Sequence, residues 1–316
     1  MGYYEQQRNK DINTLPNEFF NDPGKGVFHI KDKDTKRIIP KYLNFVLKDR
    51  TLNLWEEIRD KAIKYFEENS IEWHKDANNE PKKGPEGHLL SSNISCVNHL
   101  FYLRDKRDLI TLILKNIDER IIDAEIINNG YVDFEIMDGK IIKNPLNEKS
   151  LERKRGSKST SVDAVMIGKK NDGKNIIFLI EWKYTEKGYD PECKFIAKDN
   201  YHKHYIDIIM EENCPINPPE NIKGLFFEPY YQIMRQTLFG WKMIEALEYD
   251  CNEFICLNIV PKENIEYRNN CRGWDNYLKN QYKHNYKIIS PDELLKPIVN
   301  KEEIKLFIEY LKIRYW

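Results

Sequence analysis

The chain has 316 residues, of which 41% are hydrophobic and 32% charged, and its formal net charge is −1. That length holds one large domain or two modest ones, and no apolar run reaches the roughly 18 residues of a membrane-spanning helix, so no membrane association is expected. A charge this close to zero excludes a uniformly basic polyanion binder, and any affinity for nucleic acid has to come from a local basic surface. The N-terminus carries no basic stretch leading into an apolar segment, so cytoplasmic residence is expected. The six cysteines are scattered and are expected to be free thiols.

Residues 1–50 show no clear period and read as an irregular N-terminal arm. From Leu52 to Asn69, the positions of Leu54, Trp55, Ile58, Ala62, Tyr65 and Phe66 predict an amphipathic helix. The polar, Pro- and Gly-bearing stretch Asp76 to Gly87 predicts a loop, which divides an N-terminal arm and helical subdomain, residues 1–85, from a larger domain, residues 86–316. Helices are predicted from His88 to Leu103 and from Lys106 to Ile117. Between Arg120 and Ile142, short Ile- and Val-bearing runs broken by Asn129-Gly130 and Asp138-Gly139 predict antiparallel strands. A further hairpin joins Val162–Ile167 to Ile176–Lys183 around Asn171-Asp172-Gly173. A long helix from Pro229 to Tyr249, a strand from Glu253 to Val260, a helix from Trp274 to Gln281, a strand from Tyr286 to Ile289 and a helix from Glu302 to Ile313 complete the chain. The expected fold class is α/β, with a mixed central sheet flanked by helices and a largely helical N-terminal part.

The chemistry concentrates in Thr160–Glu186. Alternate side chains of a strand share a face, so Glu181 and Lys183 project to one side while Ile180 and Trp182 project to the other. The run Ile176–Ile180 before them is apolar on both faces, as in a covered central strand. An acid two residues before a lysine recurs elsewhere, as at Asp34, Asp138 and Glu192, and such a pair near a strand end is most often a solvated ion pair. Asp163 on the neighbouring strand changes the balance, because two carboxylates brought together repel unless a cation or a proton lies between them. Phosphodiester hydrolysis uses such an arrangement: a hard cation takes carboxylate oxygens, neutralises developing charge and lowers the pKa of a water. Asp163, Glu181 and the backbone carbonyl of Trp182 are the candidate metal ligands. Lys183 is the candidate for orienting and deprotonating the water or holding transition-state charge.

The order of elements around Asp163 and Glu181-Trp182-Lys183 resembles the PD-(D/E)XK nuclease superfamily. More closely, His88-Leu-Leu-Ser-Ser, Cys96-Val-Asn, Arg155-Gly156, Thr160-Ser-Val-Asp163-Ala and Glu181-Trp-Lys183-Tyr-Thr-Glu186 are similar to a bacterial family of restriction endonucleases, over about residues 86–250. The resemblance implies a restriction-endonuclease-like core and Mg²⁺-dependent cleavage of DNA, with Mn²⁺ as a substitute. It also implies Asp163 and Glu181 as metal ligands and Lys183 as the catalytic lysine. Two departures stand out: Val162 occupies the position where the superfamily often has Pro, and the helix Lys106–Ile117 lacks the Glu many members carry there. Glu86, Glu125 and Glu135 are substitutes, with Glu135 preferred.

Gln232, Arg235 and Gln236 share one face of the long helix. The plain reading is a solvated face; the functional one makes Gln232 an auxiliary site residue and Arg235 a DNA contact. Arg153, Lys154, Arg155 and Lys158 precede the Asp163 strand, and Arg155 and Lys158 are expected to touch phosphates. Cys193, His202, His204 and Cys214 match no compact zinc spacing, and no phosphate-binding glycine loop occurs. The reading is thus a metal-dependent DNA endonuclease of restriction type, with a homodimer left open. The rivals are a repair or recombination nuclease resembling a junction resolvase, and a nuclease-like fold that binds without cutting. The shared metal site demands one geometric feature. Asp163 and Glu181 are symmetric about residue 172, so an odd-length loop centred on Asp172, or a bulge, is required; a two-residue turn would turn the two carboxylates to opposite faces.

Overall fold

The computed structural model describes residues 1–22, 24–32, 34–73, 84–137, 160–190, 192–195 and 200–316. Their packing divides into two units, one of Met1–Tyr102 with Lys301–Trp316 and one of the described residues between Leu103 and Asn300. No helix among the described residues is long and apolar enough to cross a membrane.

In the first unit the expected irregular arm is instead regular: helix α1 (Tyr3–Glu18) is followed by an antiparallel hairpin of β1 (Gly26–Lys31) and β2 (Ile38–Leu43). Periodicity missed α1 because its buried line, Tyr3, Asp11 and Leu15, includes a charged residue. Asp22 anchors the segment after it, accepting the N–H groups of Gly24 at 2.7 Å and of Lys48 and Asp49 at 3.0 Å each. The helix expected from Leu52 is shorter, α2 (Arg59–Glu68), and α3 (Ser92–Leu100) begins where the Ser91 hydroxyl accepts the Ile94 N–H at 3.2 Å. The C-terminal helix (Lys305–Arg314) belongs to this unit, and its Arg314 is fully buried. The Arg314 guanidinium donates to the Leu89 carbonyl at 2.6 Å and lies 3.6 Å from Asp11, closing a polar core that also holds Asn53 and Asn98.

The second unit runs α4 (Arg107–Ile117), β3 (Ile121–Glu125), β4 (Asp133–Met137), β5 (Ser161–Lys170), β6 (Asn175–Trp182), α5 (Asn200–Ile209), α6 (Tyr230–Glu245), β7 (Cys251–Ile259), α7 (Ile265–Asn270), β8 (Tyr286–Ile289) and α8 (Pro291–Leu295), which makes the C-terminal helix α9. Its sheet has the order β3-β5-β6-β7-β8, with β4 also on β5. β5 is antiparallel to β3, β4 and β6, whereas β6, β7 and β8 run parallel.

β3 and β4 do not form the hairpin expected with each other. Both lie along the same edge of β5, β3 against residues 167–170 and β4 against 161–165. The tight turn falls at Asn128-Asn129, both with positive φ, and Ile127 and Gly130 bond across it. It closes a short excursion in one interrupted edge rather than a turn between partners. Asp138-Gly139 lies outside the described residues. The helix expected from Trp274 to Gln281 is two 3₁₀ segments, Trp274–Tyr277 and Asn280–Asn285.

Ile177, Leu179, Val165 and Ile167 share a core with Met234, Leu238, Phe239 and Trp241 of α6. The helix reaches the sheet at Gly240, where an added Cβ would come within 2.6 Å of both Leu179 and Phe254. Removing a glycine from a helix interior ordinarily stabilises it, but here overpacking of about 1–3 kcal/mol should win. Gly240→Val is therefore expected to lower Tm by roughly 3–8 °C; an unchanged thermal melt would mean that α6 does not seat on β6 and β7 through this glycine.

Candidate functional site

The site begins with a turn. Lys170 N–H donates to the Lys174 carbonyl at 2.8 Å, and Gly173 N–H donates back to Lys170 at 3.0 Å, leaving Asn171, Asp172 and Gly173 as a three-residue loop. Gly173 takes φ +81°, a conformation that favours glycine, and the Asp172 carboxylate accepts the Lys174 N–H at 3.0 Å. The loop is odd and centred on Asp172, as the shared site demands. The ladder that follows pairs Lys169 with Asn175 through to Ala164 with Ile180. One further step sets Asp163 opposite Glu181. On the other edge of β5, Phe134 pairs with Ala164 and Ile136 with Val162, so Glu135 falls opposite Asp163. Three acidic residues thus stand abreast at one end of three strands. Glu135 adopts φ +51° within its strand, an uncommon backbone for a non-glycine residue.

Glu181 is buried, and α6 reaches it from one side. Gln232 Nε2 donates to Glu181 Oε1 at 2.5 Å, and Gln236 Nε2 donates to Oε2. Their spacing of four residues puts both amides on one helix face. Lys183 Nζ lies 2.6 Å from Glu181 Oε1. Asp163 is held from the strand itself, its Oδ2 accepting the Trp182 N–H at 2.7 Å, while the Trp182 ring is completely buried.

The electrostatics follow from this crowding. Burial pushes the Glu181 carboxyl up to about 8; the Asp163 carboxylate adds to the push, Lys183 opposes it, and Glu135 contributes on the side of protonation. Lys183 is also held above its ordinary range. Burial works against its charge, but Glu181, Glu186 and Asp163 together outweigh that penalty. Glu228, just before α6, is raised by burial and drawn down by Lys183. Among the described residues no three His, Cys, Asp or Glu side chains converge as a ready-made cation cage. Two carboxylates beside a backbone carbonyl suit Mg²⁺, which binds through one or two carboxylates and keeps several waters.

The structure brings together Asp163, Glu181, Lys183, Gln232 and Glu135. It gives Arg235 a structural attachment: Nε donates to Thr160 Oγ1 and to the Tyr205 hydroxyl, both at 3.2 Å, and the guanidinium stacks over the Tyr231 ring. Arg155 and Lys158 lie outside the described residues. Of the substitutes for the missing helix acid, Glu125 is ion-paired with Lys169 at 3.1 Å beside Ile167, four residues along β5 from Asp163. Glu86 belongs to the other unit, where it accepts the Ser91 hydroxyl. Spacing sets Gln232, Arg235 and Gln236 on one helix face but does not single out Gln236, which also bonds Glu181. Nothing in the spacing marks Glu228, whose carboxyl feels the Lys183 charge from beyond the hairpin.

A mixed six-stranded sheet flanked by helices, with two acids and a lysine at the end of its central hairpin, defines a restriction-endonuclease-like α/β core. The chain belongs to the family described as "Restriction Endonuclease associating with ARP", whose model matches residues 17–316. No curated protein and no solved structure matches it.

A folded-state carboxyl raised from its ordinary 4.5 to about 8 binds its proton more tightly folded than unfolded. Its stabilising contribution is therefore complete below about pH 4.5 and is lost as the pH rises through 8. In EDTA, Tm should fall between pH 5 and 8, and Glu181→Gln should flatten that slope. A variant that keeps the wild-type slope would locate the titration elsewhere.

Proposed function

We propose that the chain is a DNA endonuclease that hydrolyses phosphodiester bonds with Mg²⁺, or Mn²⁺, held by Asp163 and Glu181. The observation that carries this reading is the placement of Asp163 opposite Glu181 with the Lys183 ammonium 2.6 Å from the Glu181 carboxylate. A cation bound there would neutralise charge developing on the phosphoryl group and acidify a coordinated water. Trp182 supports the ligand set in two ways: its N–H fixes Asp163, and the carbonyl of the same extended residue faces the same neighbouring strand, where it can act as a third oxygen. Gln232 and Gln236 hold both Glu181 oxygens and so fix the plane of the carboxylate. Lys183 keeps its proton at Nζ and can give a hydrogen bond to a phosphate oxygen or orient the attacking water. Glu135 adds a third acid able to steady a water ligand.

Membership of a restriction endonuclease family supports DNA as the substrate and restriction of foreign DNA as the role. The family description also supports ARP as the associating partner. Arg155 and Lys158 remain proposed phosphate contacts, and a homodimer the proposed assembly if two strands are cut together.

Plasmid nicking in Mg²⁺ or Mn²⁺ tests the reading. Asp163→Asn and Lys183→Ala should each lower the cleavage rate by about 10²- to 10³-fold or more, while metal-free DNA affinity changes little because the phosphate contacts are intact. Full metal-dependent cleavage by Asp163→Asn would end the assignment.

A further inference from the structure

The first unit carries a feature that the proposed cleavage site does not use. Among the described residues β1 and β2 form a separate two-stranded ribbon, six residues long on each side. One of its faces turns inward within the unit, with the Phe28 ring 5.0 Å from His88 and Ile30 and Ile39 half-buried. The other face is formed by the cross-strand pairs Val27 with Tyr42, His29 with Pro40 and Lys31 with Ile38. On it Tyr42 is 71% exposed, Ile38 47% and Val27 40%.

The charge of this segment runs against that of the chain. Lys25–Leu43 holds six basic residues and two acidic ones, a net +4 in a chain whose total is −1, so the remainder carries −5. One of the two acids is engaged in the turn: the Asp32 carboxylate accepts the Thr35 N–H at 2.7 Å and its hydroxyl at 2.8 Å, bonds that hold it below the ordinary carboxylate range. Lys31, Lys36 and Arg37 are exposed, and their side chains make no hydrogen bond or ion pair with the described residues. The exposed apolar strip is thus flanked by cations that have no partner of opposite charge among the described residues.

We propose that this β-ribbon binds duplex DNA, entering a groove with Lys31, Lys36 and Arg37 on the phosphates and Val27, Ile38 and Tyr42 against the groove floor. Two strands about 4.8 Å apart fit the roughly 12 Å major groove, which admits such a ribbon. Basic residues give affinity there, and apolar side chains can meet thymine methyl groups. The proposal rests on the reading of the chain as one that acts on DNA.

The test uses the full chain with a fluorescent duplex in EDTA, titrated across salt concentrations. The Lys31→Ala/Lys36→Ala/Arg37→Ala variant should bind at least about tenfold more weakly near 0.1 M salt, and its slope of log K against log salt should be shallower by roughly 2 to 3, at 0.9 per lost phosphate contact. The Lys31→Arg/Lys36→Arg variant should keep wild-type affinity. Unchanged Kd and slope in a triple variant with wild-type Tm would overturn the proposal, as would loss of self-association without loss of DNA binding, which would make the face a contact between copies. If the triple variant loses Tm, Lys31→Gln/Lys36→Gln is read the same way. Binding and cleavage separate cleanly: ribbon-dependent binding by a chain that never nicks plasmid ends the nuclease reading alone, and nicking with undiminished affinity in the triple variant ends the ribbon alone.

Discussion

Two carboxylates that share the end of a buried strand repel each other in a medium that screens charge poorly, and the second unit is arranged around that repulsion. Asp163 and Glu181 meet because a three-residue loop sets the β5–β6 register. Four groups donate to them: the Trp182 N–H to Asp163, two glutamine amides and a lysine to Glu181. These four nitrogen donors offset part of a cost that hydrophobic packing alone would leave in place. Burial, more than the neighbouring Asp163, keeps Glu181 shifted toward its protonated form.

The scaffold holds this arrangement still. β6 is buried on both faces and bounded by β5 and β7, so its last residues have little freedom, and α6 is drawn close enough to β6 by Gly240 for two side chains to reach Glu181. Helix and strand packing therefore decide the position of the candidate ligands to within the length of a hydrogen bond. Arg235, one turn along α6, is tied to Thr160 and Tyr205 of the same unit.

Charge is distributed in the same local manner. A total of −1 conceals a ribbon of +4 and a separate cluster of acids around Lys183. Long-range attraction to a polyanion scales with such patches and not with the sum, and so a nearly neutral chain is compatible with acting on DNA. It does require that the basic surface and the acidic site be different places.

Much of the second unit was legible in the sequence because its signals are local. The double-faced apolar run of β6 announced a central strand, the alternation of Glu181 and Lys183 put them on one face, and symmetry about residue 172 demanded the odd loop that is found. Contacts between segments distant in the chain carry no such signal. Pattern could not show that β3 and β4 share one edge of β5, because strand propensity does not encode pairing partners. Nor could it show that α1 forms, since a buried Asp11 breaks its apolar line, or that Gln236 bonds Glu181, 55 positions away. Residue type and period determined which side chains could do chemistry; only the tertiary structure, by fixing register and bringing α6 onto the sheet, decided which of them meet.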